Sequence, residues 1–264
     1  MPDLHHFVYR PGESLRRYVR EVLFLNSRPP RLQALMPETT PTLMLQQLGS
    51  SSLNGQVLPS ATLSGLQSKT RTVELSANAV IVIVRFTEIG ASAVLRDRID
   101  TLYDLTVPLD DVLNRADVDR LQNALADAVN AQERRVAVEH FLRSQLRPAY
   151  TPNQRIEAAA RRIRKLSGRI SIDELARHLE TTHSTLERRF RAEVGATPKA
   201  LSRLARLQNV CRLWDTGKPL TEIAYEAGFS DQPHLIHDFK HFTGTAPEAF
   251  LSKRAPRNLP TFYK

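Results

Sequence analysis

One cysteine, one tryptophan and ten glycines are all that the 264 residues hold of those types. Each shortage removes a class of protein. A lone Cys211 cannot form a disulfide within the chain, and it excludes a Cys-rich zinc site. No glycine loop of the phosphate-cradling kind is present, and no serine is flanked by glycines as a hydrolase nucleophile would be. Long apolar runs are missing too: residues 79–84 are the most apolar stretch, far short of the ~20 residues that span a bilayer. The first residues show no basic segment leading into an apolar run, so no secretory signal is expected and a cytoplasmic protein is. Metal catalysis would need His and Glu gathered around strands. His5 and His6 are expected to precede the first strand and His140 to lie in a helix. An alkyl-transfer repair enzyme would need a reactive cysteine in the first half, where there is none. No enzyme, metal or other cofactor is therefore expected.

What is present is positive charge, unevenly placed. The net formal charge is +9. Residues 1–150 hold 17 Lys and Arg against 16 Asp and Glu, whereas residues 151–264 hold 20 against 12. A nearly neutral half joined to a basic half fits a sensor or scaffold fused to a polyanion binder. The first half carries β-branched or aromatic runs of strand length at 22–25, 42–45 and 80–86, separated by turn-forming clusters at 49–55 and 59–65. From residue 117 the apolar spacing becomes helical: Val118, Leu121, Leu125 and Val129 share one face, and Val136, Val138, Phe141, Leu142 and Leu146 another. Helices at 117–131 and 135–146 can pair two subunits or pack within one domain. Pro148 and Pro152 then break the pattern. The expected organisation is an N-terminal effector or dimerisation domain at 1–147, a linker at 148–153, a helical domain at 154–252 and a loose basic tail at 253–264.

The helical half contains an internal repeat. At an offset of 48, Ile172, Leu175, Ala176 and Leu179 correspond to Leu220, Ile223, Ala224 and Ala227. After one inserted residue, Leu186, Phe190, Gly195 and Pro198 correspond to Leu235, Phe239, Gly244 and Pro247. Each copy reads as a short helix, a tight turn and a longer helix, at 172–194 and 220–242: the helix-turn-helix plan. Ser171 with Glu174 makes a capping box, and Thr182 and Ser230 are suited to cap the longer helices. Gly228 supplies a left-handed turn residue. Glu180 stands at the equivalent position and would cost about 1 kcal/mol on the same backbone. Leu186, Phe190 and Val194 must face inward, as must Leu235, Phe239 and Phe242. The opposite faces present Ser184, Thr185, Glu187, Arg188 and Arg191 in the first copy, and Gln232, Pro233, His234, Ile236, His237 and Lys240 in the second. A helix at 199–214, about 24 Å long at 1.5 Å per residue, can hold both faces toward one side of B-DNA, whose major groove returns every ~34 Å.

On these residues the sequence resembles the AraC/XylS family of bacterial transcription regulators. The resemblance covers residues 155–251 and is sharpest at 223–232, at Phe239 and Lys240, and at 244–247. It implies an α+β protein of two domains: a β-rich, cupin-like N-terminal domain with flanking helices, and an all-α domain of tandem helix-turn-helix units. It further implies sequence-specific binding of double-stranded promoter DNA, activation through RNA polymerase, and in some members a homodimer or a small-molecule effector. By position, base-edge contacts fall to Ser184, Glu187 and Arg188, then to Gln232, Pro233 and His237. His237 departs from the family, which commonly has Arg there; a histidine offers at most one good hydrogen bond to guanine where arginine offers two. A non-specific or architectural DNA binder, or a module docking an acidic protein, is the competing expectation.

Overall fold

The computed structural model describes residues 4–95 and 98–252; the tail expected at 253–264 lies outside the described residues. The described residues of the first half form ten strands: β1 (Leu4–Tyr9), β2 (Val19–Ser27), β3 (Arg31–Leu35), β4 (Thr42–Leu48), β5 (Ser51–Leu53), β6 (Gln56–Val57), β7 (Ala61–Ser64), β8 (Arg71–Leu75), β9 (Ala79–Phe86) and β10 (Thr106–Pro108). They make a six-stranded antiparallel sheet, β1-β2-β9-β4-β7-β10, and a four-stranded one, β3-β8-β5-β6. The expected strands at 22–25, 42–45 and 80–86 are β2, β4 and β9, the three central neighbours of the larger sheet. His5 and His6, expected to precede any strand, instead pair within β1, opposite Asn26 and Leu25. That strand is set by its pairing with β2 rather than by a local apolar pattern.

The apolar character of β9 follows from burial on both faces. Val82, Val84 and Phe86 point into a cluster that includes Val22, Phe24, Leu43 and Leu63. Ala79, Ile81 and Ile83 alternate with them and pack on Leu25, Val73 and Leu75 between the sheets. Arg85 continues that second face. It is buried, and its guanidinium meets Glu21 at 2.7 Å and Glu38 at 4.0 Å. Burial pushes the Glu38 carboxyl above its ordinary pKa, while the cations of Arg85, Arg71 and Arg20 oppose the rise.

Behind β9 comes the short α1 (Gly90–Val94), and two longer helices, α2 (Arg115–Asp127) and α3 (Ala131–Gln145), close the large sheet. Val118, Leu121, Leu125, Val138, Phe141 and Leu142 are buried there, so these helices pack within their own chain. The helix expected to reach residue 131 ends at Asp127 instead. Asn130 caps α3, its side chain accepting from the Glu133 amide while the Glu133 carboxylate accepts from the Val129 amide. That exchange starts α3 four residues before the expected 135 and leaves Val129 and Val136 exposed rather than facing inward.

Residues 146–153 contain neither helix nor strand, yet they are held. The Arg147 side chain donates to the Ser92 carbonyl at 2.6 Å, and the Asn153 amide donates to the Glu193 carboxylate at 3.1 Å. Seven helices follow: α4 (Gln154–Lys165), α5 (Ile172–His178), α6 (His183–Val194), α7 (Pro198–Trp214), α8 (Leu220–Ala227), α9 (Gln232–Thr243) and α10 (Pro247–Leu251). Asn153 caps α4, Ser171 α5, Thr182 α6 and Thr197 α7, each accepting an amide at the helix start. α9 is capped by Asp231 rather than by the expected Ser230; the carboxylate accepts from the His234 amide at 2.7 Å, and the Ser230 hydroxyl turns instead to Asp231 and His234.

The helical core contains Leu175, Leu186, Phe190, Leu204, Leu207, Val210, Ile223, Leu235 and Phe239, and two residues of the first half, Met36 and Leu66, belong to it. The turns of the two copies share a backbone. Gly228 has φ +83°, and Glu180 is held at φ +49°. An L residue in that region is strained, and the Glu180 side chain is 86% exposed, 3.9 Å from Arg155. Glu180→Gly should therefore raise stability by about 0.5–1 kcal/mol in urea unfolding; a loss would show that the Glu180 side chain contributes more than its backbone costs.

Candidate nucleic-acid interface

In each copy the short helix packs across the longer one, and apolar periodicity decides which face of the longer helix is left open. Leu186, Phe190 and Val194 are buried on α6; Leu235, Phe239 and Phe242 are buried on α9. The remaining face of α6 puts Ser184, Arg188 and Arg191 in solvent, with Thr185 and Glu187 half-covered. Arg191 donates to Glu187 at 2.6 Å, one helical turn away, and His183 lies 3.9 Å from the same carboxylate. Thr185 shares the Thr182 hydroxyl through a 2.9 Å bond. Arg188 makes no ion pair among the described residues, so its fork of donors is open.

On α9, Pro233, His234, His237 and Lys240 are exposed and Gln232 is half-covered. Pro233 occupies the first turn, where a missing N–H costs nothing. His234 is less available than its exposure suggests: its ring stands edge-on to Phe229 at 5.2 Å and its Nδ1 lies 3.1 Å from the Ser230 hydroxyl. Ile236, expected on the open face, is half-buried against the helical core. Few free hydrogen-bonding groups remain on α9, and His237 and Lys240 carry them.

α7 joins the copies. Its 17 residues span about 26 Å, and Leu201, Leu204, Leu207, Val210 and Cys211 are buried along it. Arg203 of α7 reaches α9, donating to the buried Asp238 at 2.8 Å while its guanidinium covers the Phe242 ring at 4.9 Å. The first half touches the far ends of both longer helices. Ser92 donates to the Glu193 carbonyl at 2.8 Å, and the Gly195 backbone lies against Ile99 and Leu66. The Thr70 amide donates to the Phe242 carbonyl at 2.9 Å, and the Lys69 ammonium to the His241 carbonyl. Burial, reinforced by Lys69 and Arg203, holds the His241 imidazole below its ordinary pKa.

The two longer helices, joined by α7, are therefore open to solvent at their N-terminal turns. Residues 175–253 match the family described as a helix-turn-helix domain. No curated protein sequence matches. Among solved structures, ToxT from Vibrio cholerae is similar at 13% identity over 94% of this chain and 98% of its own, with a TM-score of 0.49. The C-terminal domain of AraT, a response regulator from Geobacillus stearothermophilus, is similar at 24% identity over 39% of this chain and 87% of its own, with a TM-score of 0.37. The xylose-binding transcription activator XylR is similar at 21% identity over 46% and 38%, with a TM-score of 0.35.

Two features of the helical half escape sequence reading. Asp238 sits among basic residues at a position adjoining the inward Phe239, and only its misplaced sign hints at a buried partner. The grip of residues 69, 70, 92 and 99 on the helix ends leaves no local pattern at all. Among the described residues no cluster of His, Cys, Asp and Glu could hold a metal, and no helix is long and apolar enough to cross a membrane. Arg203→Ala leaves the Asp238 carboxylate buried and unpaired; it should cost about 3 kcal/mol in denaturant unfolding, and a cost below ~1 kcal/mol would show that the pair is screened by water.

Proposed function

We propose that this chain is a sequence-specific regulator of transcription that reads two adjacent major-groove segments of promoter DNA with α6 and α9. The observation that carries this reading is the duplication itself: two capped helices, each with a buried apolar stripe and an open polar face, are held on one strut in the basic half of the chain. In this reading Ser184, Thr185, Glu187, Arg188 and Arg191 face the first groove segment, and Gln232, Pro233, His234, His237 and Lys240 the second, with Ile236 half-buried behind them. Arg188 supplies the strongest base contact, a bidentate grip on guanine. The Glu187–Arg191 pair opens if either side chain meets a base or phosphate. α9 contributes mainly phosphate contact through Lys240 and a single hydrogen bond from His237.

Residues 1–147 act as an effector or dimerisation domain, residues 148–153 as the connection and 154–252 as the DNA-binding domain. Activation by contact with RNA polymerase follows from the likeness to the AraC/XylS family. The fatty-acid-bound form of ToxT is a reason to include small carboxylic acids when effectors are screened.

Selection of genomic fragments by the purified protein, followed by footprinting, tests the assignment. A protected site of about 20 base pairs, covering two major grooves on one face, is expected. Arg188→Ala should cost about 1–3 kcal/mol in target binding and relax base preference in one half of the site. His237→Ala should cost less than 1 kcal/mol. Equal losses of preference from both variants would refute the unequal division, and uniform binding of all fragments with a steep salt dependence would favour an architectural protein.

A further inference from the structure

Six cations of the helical half are held in ion pairs: Arg155 with Glu180, Arg161 with Glu157, Arg164 with Glu88, Arg191 with Glu187, Arg203 with Asp238 and Lys218 with Glu226. Three without an ion pair among the described residues converge on one open cleft of about 610 Å³ between the two helix-turn-helix units. They are Arg169, on the turn before α5, and Lys199 and Arg206, both on α7. One carboxylate, Asp173, lines the same cleft.

The cleft is assembled from both copies. The Arg169 stem lies over Gly228, where a Cβ would stand 2.7 Å from its Cγ, so the glycine of the second turn makes room for an arginine of the first unit. Arg206 donates weakly to the Gly228 carbonyl at 3.4 Å, and its guanidinium lies over the Phe229 ring at 5.1 Å. Its Nε is buried without a hydrogen-bond partner. Burial, opposed by Asp238 and reinforced by Arg203, pulls the Arg206 pKa below its ordinary value. An anion in the cleft would relieve that cost.

Position identifies the anion. His183, the first residue of α6, lines one side, and Gly228, four residues before α9 begins, lines the other. A protein with one helix in each of two successive major-groove turns faces, between them, the sugar-phosphate backbone bordering the minor groove. We propose that the cleft bounded by Arg169, Lys199 and Arg206 is a phosphodiester seat, which takes the DNA backbone between the two groove segments and sets the register of both reading helices. This rests on the DNA-binding assignment above. The seat contributes affinity without base preference, because a phosphate carries no sequence.

The test uses the full chain and a footprinted target duplex, with an unrelated duplex beside it, titrated from 50 to 200 mM salt. Lys199→Ala and Arg169→Ala, both exposed, are compared with Arg120→Ala on α2. Each cleft variant should flatten the slope of log K against log salt by about 0.9, so that it loses about 3.5-fold less affinity across that range than the unmodified chain. Target and unrelated duplex should weaken by the same factor, and Arg120→Ala should change neither. An unchanged slope, or a loss confined to the target, overturns the seat while leaving DNA binding intact. Inorganic phosphate added at constant ionic strength separates the sources: competition at millimolar concentration would mean a free-anion site and would overturn the backbone assignment. If the unmodified chain binds neither duplex at low salt, the DNA-binding assignment fails first and the seat with it.

Discussion

The placement of the open faces of α6 and α9 depends on the burial of α7. One face of that helix is used twice, because Leu201, Leu204, Leu207 and Val210 are buried in a core that takes in side chains of both helix-turn-helix units. A helix of 17 residues has little stability of its own in water, so the strut is rigid only while both units cover it. Neither unit can then rotate freely about the other, and the separation of α6 and α9 is a property of the core rather than of a linker. Arg203 adds direction to this packing, since its bond to Asp238 fixes α9 in azimuth where apolar contact alone would tolerate sliding.

The first half strengthens the same constraint from behind. Its contacts fall on the last turns of α6 and α9, where helices expose unsatisfied carbonyls. The Ser92 hydroxyl, the Thr70 amide and the Lys69 ammonium satisfy three of these. The opposite, N-terminal turns are left open, and that is the end at which a recognition helix meets base edges. Two of the segments that grip the helix ends, 66–70 and 99–105, are themselves linked: the Asp104 amide donates to the Leu66 carbonyl, and Gln67 donates to the Leu105 carbonyl at 2.9 Å. The two halves therefore share packing and hydrogen bonds, with Met36 and Leu66 inside the helical core, rather than hanging from a flexible tether.

How far the sequence foretells this depends on whether the deciding contact is local. The helix-turn-helix units are legible because capping, apolar spacing and turn chemistry act within a few residues; even the strained Glu180 is found by aligning it with Gly228. The central strands are legible because burial on both faces makes them continuously apolar. The small sheet is not, since strands such as β3 alternate half-covered and exposed residues and are held mainly by their partners' hydrogen bonds. The start of α3 is missed because a reciprocal exchange between Asn130 and Glu133 decides it, not apolar spacing. The half-burial of Ile236 and the placement of three unpaired cations in one cleft arise from tertiary packing, which no linear pattern records.

Cys211 lies in the last turn of α7 with no exposed surface. Because it is the only sulfhydryl in the chain, a thiol-modifying reagent reaches sulfur only when the strut comes away from the lobes on either side. Alkylation kinetics at this single atom thus report the opening of the helical core, free of background from any other thiol. Oxidants meet no exposed thiol in the folded molecule.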